Sequence, residues 1–321
     1  MADALKLGWP DVQVGWAVHP LSAPLIKGHP CVDRVHIWPR AAGMAMLKAG
    51  RQLVRELRAE RYDLVIDLSR IAKSALVARA CGAPRVLGYD RGRAKEGSWL
   101  LYNERVPAGH RRTPMLEQVL EFARYLGLPA ERARRRLPLD PGAESWAEEQ
   151  LKQLGGAPIL VHIGASKPPN RWPSKRHGEL ARLLAAAKVG PVCLTGGPDE
   201  LAAGAEAAAV AGPNVHVMVG ASSLLGFASL AARAQLFVGC DTGPMHLAAA
   251  AGCPVVALFG PADPLRTGPF GPEHVVAREP SAGSDRDKPL PAASMLALEP
   301  DSLAAFCLER LSAIASNEDN P

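Results

Sequence analysis

Two doubly wound α/β domains in tandem are the fold class that this 321-residue sequence predicts, on three observations. Short runs rich in β-branched and aromatic residues alternate with stretches of helical periodicity from end to end, the pattern of parallel strands joined by crossover helices. The length exceeds what one hydrophobic core usually serves. The alternation breaks over residues 127–142, where Pro129, Pro138, Pro141 and the run Arg134-Arg135-Arg136 read as an interdomain linker. Domains are therefore expected over residues 1–141 and 142–321.

In the first domain the runs V-Q-V-G-W-A-V (12–18), V-D-R-V-H-I (32–37), Y-D-L-V-I-D-L (62–68) and R-V-L-G (85–88) predict strands. Helices are expected between and after them at about 21–28, 44–60, 71–81 and 113–126. The second domain opens with a helix near 143–154 and continues with strands at 159–163, 189–194, 215–218, 235–239 and 255–259. Helices fit at 175–187, 199–211, 223–232 and 244–251, so ligand is expected at the carboxyl ends of these strands. Residues 280–291 are polar and proline-rich and read as a loop. A final helix is expected at about 292–316, with the option of packing back on the first domain.

Apolar residues make up 48% of the chain and charged residues 21%. The longest apolar runs, such as 248–251 and 255–259, fall far short of the ~20 residues that span a bilayer, so no membrane span is expected. The first residues, M-A-D-A-L-K, lack a basic region followed by an apolar stretch, which argues against a secretory signal and for the cytoplasm. Six cysteines are scattered with no C-x-x-C pair and no nearby Cys/His cluster, so buried free thiols are expected rather than a metal site, redox motif or disulfide framework. Residues 1–140 hold 24 Lys/Arg against 14 Asp/Glu, a balance of +10, whereas the remainder holds 13 against 18, a balance of −5. A basic first half favours an anionic partner or is a solvated arginine-rich surface, and composition does not choose between them.

The residues that carry chemistry concentrate in L-F-V-G-C-D-T-G-P-M-H-L-A-A-A-A-G-C-P-V-V-A-L-F-G-P-A-D-P, from Leu236 to Pro264. Asp241 and Thr242 supply N-capping oxygens after a buried strand, Gly243 permits close backbone approach, and Pro244 suits the first helical turn. Backbone N–H groups at a helix's positive end, at the carboxyl edge of a parallel sheet, hold phosphate or pyrophosphate. Met245 follows, and His246 stands one turn inside. The competing reading of this turn is a capped core helix with a buried histidine. Asp263 and Thr267-Gly268-Pro269 lie on loops expected to open on the same rim.

The stretch D-T-G-P-M-H-L-A-A-A-x-G-x-P-V-V-A-L-F-G-P-x-D-P with T-G-P downstream resembles the signature of glycosyltransferase family 9, the ADP-heptose:lipopolysaccharide heptosyltransferases. Upstream, Val161-His-Ile-Gly164-Ala165-Ser166 and Asn170-Arg171-Trp172-Pro173 resemble the family's strand, Gly-Ala loop and K-R-W-P element. Asn170 replaces the usual lysine, so that a charge contact with the donor phosphates is either lost or passed to Lys167 or Arg171. Asp199, in T-G-G-P-D-E, matches the loop whose acidic residue meets the donor nucleoside, with an N-cap as the alternative. In the first half, Gly28–His36 and Tyr62–Leu68 resemble the acceptor domain. Asp67, Ser69, Arg91 and Arg93 are candidates there for acceptor contact, against the competing readings of a structural cap and of exposed arginines.

The resemblance implies a GT-B fold, two Rossmann-like domains facing across a cleft with donor on the second and acceptor on the first. It implies inverting transfer of a heptose or similar sugar from an ADP-sugar to a lipopolysaccharide core or related glycan. No metal and no cofactor beyond the donor are expected. The implied partners are the nucleotide sugar and an anionic glycolipid or glycan acceptor, with peripheral contact at the inner membrane surface and no nucleic acid. No D-x-D pair ends a donor-side strand, and the helix start at Thr242 stands ready to stabilise the leaving pyrophosphate. A nicotinamide dehydrogenase would need a G-x-G-x-x-G after a strand, and none is present. Family members open with a strand and a Gly-Asp loop carrying the general base, whereas Met1-Ala-Asp-Ala-Leu-Lys-Leu-Gly-Trp-Pro-Asp matches only the helix that follows. The first domain is therefore expected to lack its first strand, the base to lie upstream of Met1, and Asp3 to be unable to replace it. The alternative function is a nucleotide-sugar-binding protein without transferase activity.

Overall fold

The computed structural model of the chain describes residues 1–38, 43–107, 109, 113–132, 137–138, 140–165, 167–279 and 292–318. It divides into two compact units, Met1–Pro138 and Leu139–Pro321. Ser166, the linker arginines 134–136 and the loop 280–291 lie outside the described residues.

Unit 1 runs α1 (Ala2–Gly8), β1 (Gly15–Val18), a 3-10 turn (Pro20–Leu25), β2 (Arg34–Ile37), α2 (Gly43–Glu60), β3 (Leu64–Ile66), α3 (Ala72–Ala80), β4 (Arg85–Tyr89), a 3-10 turn (Ser98–Leu101), β5 (Glu104–Val106) and α4 (Met115–Tyr125). Its described strands form two parallel sheets, β1–β2 and β3–β4–β5. Tyr62, just ahead of β3, bonds through its hydroxyl to His36 Nε2 of β2 at 2.8 Å. Apolar packing is spread over small clusters, such as Leu87, Tyr89, Val106 and Phe122, with the rings of Tyr89 and Phe122 edge to face at 4.7 Å. The helix expected at 21–28 is a shorter 3-10 turn with Pro24 inside it, because a proline there removes the N–H that an α-helix needs. β5 was not expected: three residues, of which Val106 alone is buried, carry no readable period.

Unit 2 runs α5 (Pro141–Leu154), β6 (Ile159–His162), α6 (Ser174–Ala186), β7 (Val192–Gly196), α7 (Leu201–Ala211), β8 (Val215–Val219), α8 (Leu224–Ala231), β9 (Leu236–Cys240), α9 (Gly243–Ala250), β10 (Val255–Phe259), α10 (Pro264–Thr267), β11 (Val275–Arg278) and α11 (Pro300–Glu318). Its six described strands make one parallel sheet in the order β11-β10-β9-β6-β7-β8. β6, β7, β9 and β10 are buried along their whole length, as strands covered on both faces must be. On one face Val161, Leu194, Val238 and Leu258 pack with Leu180 and Leu184 of α6, Ala207 of α7 and Cys307 and Leu311 of α11. On the other, Phe237 meets the ring of Phe227 of α8 edge to face at 6.0 Å.

The last expected helix is two elements, a 3-10 turn (Ala292–Ala297) and α11, which begins at Pro300. Proline is tolerated in a first helical turn and breaks a helix interior. α11 packs on α6 of its own unit. All six cysteines are buried thiols outside any disulfide. No helix among the described residues is long and apolar enough to cross a membrane.

Candidate functional site

The chain order of the unit 2 sheet reverses between β6 and β9: β6, β7 and β8 step one way, and β9, β10 and β11 the other. A crevice opens outside the carboxyl ends of the two strands at such a switch point, which is where open parallel sheets bind ligands. β6 and β9 pair directly, His162 opposite Gly239, so the segments that follow, Ile163-Gly164-Ala165 and Asp241-Thr242-Gly243, lie side by side at that crevice. The next loop out is equally close: a Cβ on Gly164 would stand 2.7 Å from His162 Nε2 and 3.4 Å from the carboxyl carbon of Glu200. Gly164 thus lets the β6 and β7 loops approach, and Ala165 beside it is buried.

Thr242 is the N-cap of α9, buried and extended, its Oγ1 accepting from Met245 N at 3.4 Å. Pro244 has no N–H, so Gly243 carries the first-turn donor that helix geometry leaves without an intrahelical acceptor. A Cβ on Gly243 would meet nothing within 4 Å, so the positive end of α9 faces open space. Asp241 is held from the next loop: its Oδ2 accepts from Thr267 Oγ1 at 3.0 Å, and Thr267 Oγ1 also lies 3.3 Å from the backbone oxygen of Asp263. Asp263 caps α10 by accepting from Leu265 N at 3.0 Å. The His246 side chain is about half exposed, with Nε2 3.9 Å from Asp241 Oδ1. Burial of part of its ring lowers its pKa, and the Asp241 charge opposes that shift. The buried-histidine alternative for this turn therefore fails, because the helix is capped as expected while its histidine reaches the surface.

Arg171 is exposed on the same rim, pinned by Nε donating to Ala165 O at 3.2 Å, and its terminal guanidinium nitrogens have no partner among the described residues. Asn170 is buried beside it. The two cations of this element, Lys167 and Arg171, are both exposed. Trp172 anchors the element, donating from Nε1 to Leu298 O at 3.0 Å and packing edge-on against His177 of α6. In the β7 loop Glu200, not Asp199, caps the chain, its carboxylate accepting from Gly197 N at 2.7 Å. Asp199 is exposed with no partner among the described residues, so the N-cap alternative for it is overturned.

One neighbour of the site escapes sequence reading. Met295 is buried against the end of β10, its Sδ and Cγ occupying the space where a Gly260 side chain would stand. The only local hint is the Gly260-Pro261 step, since Met295 arrives from 35 positions along the chain.

In unit 1 the four candidates separate by burial. Asp67 is buried with both oxygens engaged: Oδ1 accepts from Ser69 N at 2.8 Å, and Oδ2 accepts from Ser74 Oγ at 2.7 Å and Tyr102 Oη at 2.9 Å. Arg93 is also buried, paired with Asp90 and Glu121, donating to Val106 O and Pro107 O, and lying over the Tyr89 ring. Both spend their polar atoms inside the unit, Asp67 on its own turn, α3 and Tyr102, and Arg93 on the loop after β4, the end of β5 and α4. Ser69 and Arg91 are exposed, Arg91 with its guanidinium 5.4 Å from the centroid of the Trp99 ring. Among the described residues no group of three or more His, Cys, Asp or Glu is placed to hold a metal ion.

These features match known proteins. A family model described as glycosyltransferase family 9 (heptosyltransferase) matches residues 50–292. Lipopolysaccharide heptosyltransferase 1 of Pseudomonas aeruginosa is 32% identical over 281 residues, 83% of this chain and 75% of the relative. The Escherichia coli K12 protein of the same name is 30% identical, over 84% of this chain and 85% of the relative. Among solved structures, a glycosyltransferase family 9 protein of Veillonella parvula superposes with a TM-score of 0.83 at 18% identity, covering 97% of this chain and 92% of that one. E. coli heptosyltransferase WaaC with ADP superposes with a TM-score of 0.74 at 25% identity, covering 96% and 93%. With its family signature at a sheet switch point and a family match spanning most of its length, this chain belongs to glycosyltransferase family 9, the heptosyltransferases, and is a glycosyltransferase of the GT-B α/β class.

Proposed function

We propose that this enzyme transfers a heptose from an ADP-sugar to a hydroxyl of a lipopolysaccharide core, with inversion at the anomeric carbon and without a metal ion or other cofactor. The observation that carries the reading is the open N-terminus of α9 at the β6/β9 switch point, with Asp241, His246 and Arg171 around it. The relatives' names supply the sugar and acceptor, and two solved WaaC structures hold ADP and ADP-2-deoxy-2-fluoro heptose.

In this reading the Gly243 N–H and the α9 dipole meet the donor pyrophosphate, Arg171 adds a cationic contact, and Asp199 meets the nucleoside. Gly164, Ala165, Asn170, Met245 and Asp263 shape the same rim. An acceptor hydroxyl forms the new bond to the anomeric carbon as the bond to the phosphate oxygen breaks. The proton passes to a general base, and the electron pair leaves with ADP, whose developing charge the helix end stabilises. No described residue is assigned as that base. Arg91 and Ser69 serve the acceptor, the arginine by pairing with a phosphate or carboxylate. The test is product formation from ADP-heptose and a deglycosylated core acceptor in the presence of EDTA, with the anomeric configuration of the product read by NMR. Retention of configuration, or loss of turnover on chelation, contradicts the reading.

A further inference from the structure

We propose that Arg176 is a positioning residue of the nucleotide site, acting on Arg171 through a strut made of residues 294–299. The inference rests on the donor reading of that site and adds to it a residue on α6, outside the site's loops.

Residues 294–299 run from the 3-10 turn Ala292–Ala297 to the start of α11 and join the loops that follow β10 and β6. Toward β10, Met295 is 1% exposed, and a Cβ on Gly260 would stand 2.6 Å from its Sδ. Toward β6, the same turn packs on the 3-10 turn Pro168–Asn170, which leads directly into Arg171. Carbonyl groups where a turn has ended and a helix has not begun have no ladder to join and need other donors. Those of this segment find them on the element of Arg171 and on the helix that follows it. Trp172 Nε1 donates to Leu298 O at 3.0 Å. Arg176, in the first turn of α6, donates through Nη1 to Leu296 O and, at 3.0 Å, to Leu298 O, and its Nη2 reaches Glu299 Oε1 at 3.1 Å.

Leu298 O is therefore the joint at which Arg176 meets the residue next to Arg171. The turn ahead of Arg171 holds two prolines, which have no N–H, and Arg171 N donates to Pro168 O at 3.1 Å. So short a turn takes part of its position from what packs on it, here the segment before α11. α11 does not need the Arg176 fork for its own attachment, because Cys307 and Leu311 already pack with Leu180 and Leu184 of α6. The effect of the fork falls instead on the segment between α11 and the site. A shift of about 1 Å in a positioning group costs up to about a hundredfold in function, so a loosened strut is expected to reach Arg171.

The test is isothermal titration of ADP against the full chain and its variants, with a melting curve for each. Arg171→Ala should weaken binding about tenfold or more, as loss of a charge-assisted contact does. Arg176→Met keeps the stem and removes the donors, and should weaken binding about fivefold or more through the same contact. Arg171→Ala/Arg176→Met should then bind ADP within about twofold of Arg171→Ala alone, since a residue that acts through Arg171 has nothing left to position. Arg176→Lys keeps the charge but lacks the planar fork, so its affinity should lie between those of Arg176→Met and the wild type. If Arg176→Met does not fold, Arg176→Lys carries the same comparison. Losses that multiply in the double variant would mark a general effect of charge or stability and overturn the inference. Unchanged affinity in Arg171→Ala overturns the donor reading and this inference with it, whereas a loss in Arg171→Ala without one in Arg176→Met overturns this inference alone.

Discussion

The Thr267 hydroxyl donates to Asp241 Oδ2 at 3.0 Å, joining the loops that follow two neighbouring parallel strands, β9 and β10. Residues 26 positions apart thereby fix the carboxylate beside the open end of α9 and His246. Thr267→Val keeps the shape and removes the donor. Because hydrogen bonds to charged groups contribute about 1.5–3 kcal/mol, its ADP affinity should fall by about tenfold or more, while Thr267→Ser stays near wild type. Isothermal titration reads both.

Arg171 is exposed beside the buried Asn170, with its Nε on Ala165 O, and in the proposed function it supplies the cationic contact to the donor. Arg171→Ala should weaken ADP binding by about 1.5–3 kcal/mol, and the loss should shrink at high salt. Asn170→Ala, by contrast, should act mainly on the melting temperature.

Arg93 and Arg91 sit two residues apart and should behave in opposite ways. Arg93→Ala strands Asp90 and Glu121, both mostly buried, and should cost about 3 kcal/mol of stability in denaturant unfolding. Arg91→Ala should leave stability within about 0.5 kcal/mol and lower the affinity for a phosphorylated acceptor.

Acid should weaken unit 2 through its buried histidines. Burial lowers the pKa of His162 to about 3 and of His177 to about 4. Below an unfolded value near 6.5 the unfolded state takes up protons that the folded state refuses, so stability is full above that pH and declines as pH falls toward 4. His177 alone should cost about 3 kcal/mol over that interval. His177→Gln should flatten the pH dependence of unfolding, and an unchanged profile would remove His177 from this account.

Much of the site is local and therefore legible in the sequence. The Thr242 cap, the proline in the first turn and the strand ending at the motif all lie within a few residues, and the parallel sheet follows from strand–helix alternation, whereas its strand order, and with it the position of the switch point, comes from the structure. Contacts between distant segments are not legible, as with Thr267 on Asp241, Met295 over Gly260 and the internal satisfaction of Asp67 by Ser74 and Tyr102. Asp199 and Glu200 are adjacent acids in one turn, and only the geometry shows that Glu200 takes Gly197 N and leaves Asp199 free. β5 and β11 are too short for periodicity to register, whereas Pro300 was a visible stop within the last helix.

In the proposed reaction the open N-terminus of α9 holds the donor's pyrophosphate. This contact is tested by titrating ADP against the wild type and Gly243→Trp, because a Cβ at this exposed position meets no atom within 4 Å. ADP should raise the wild-type melting temperature, as a ligand that binds only the folded state must. Gly243→Trp should melt at the wild-type temperature without ADP and show an affinity lowered about a hundredfold or more. Undiminished ADP binding by a folded Gly243→Trp protein would contradict the account.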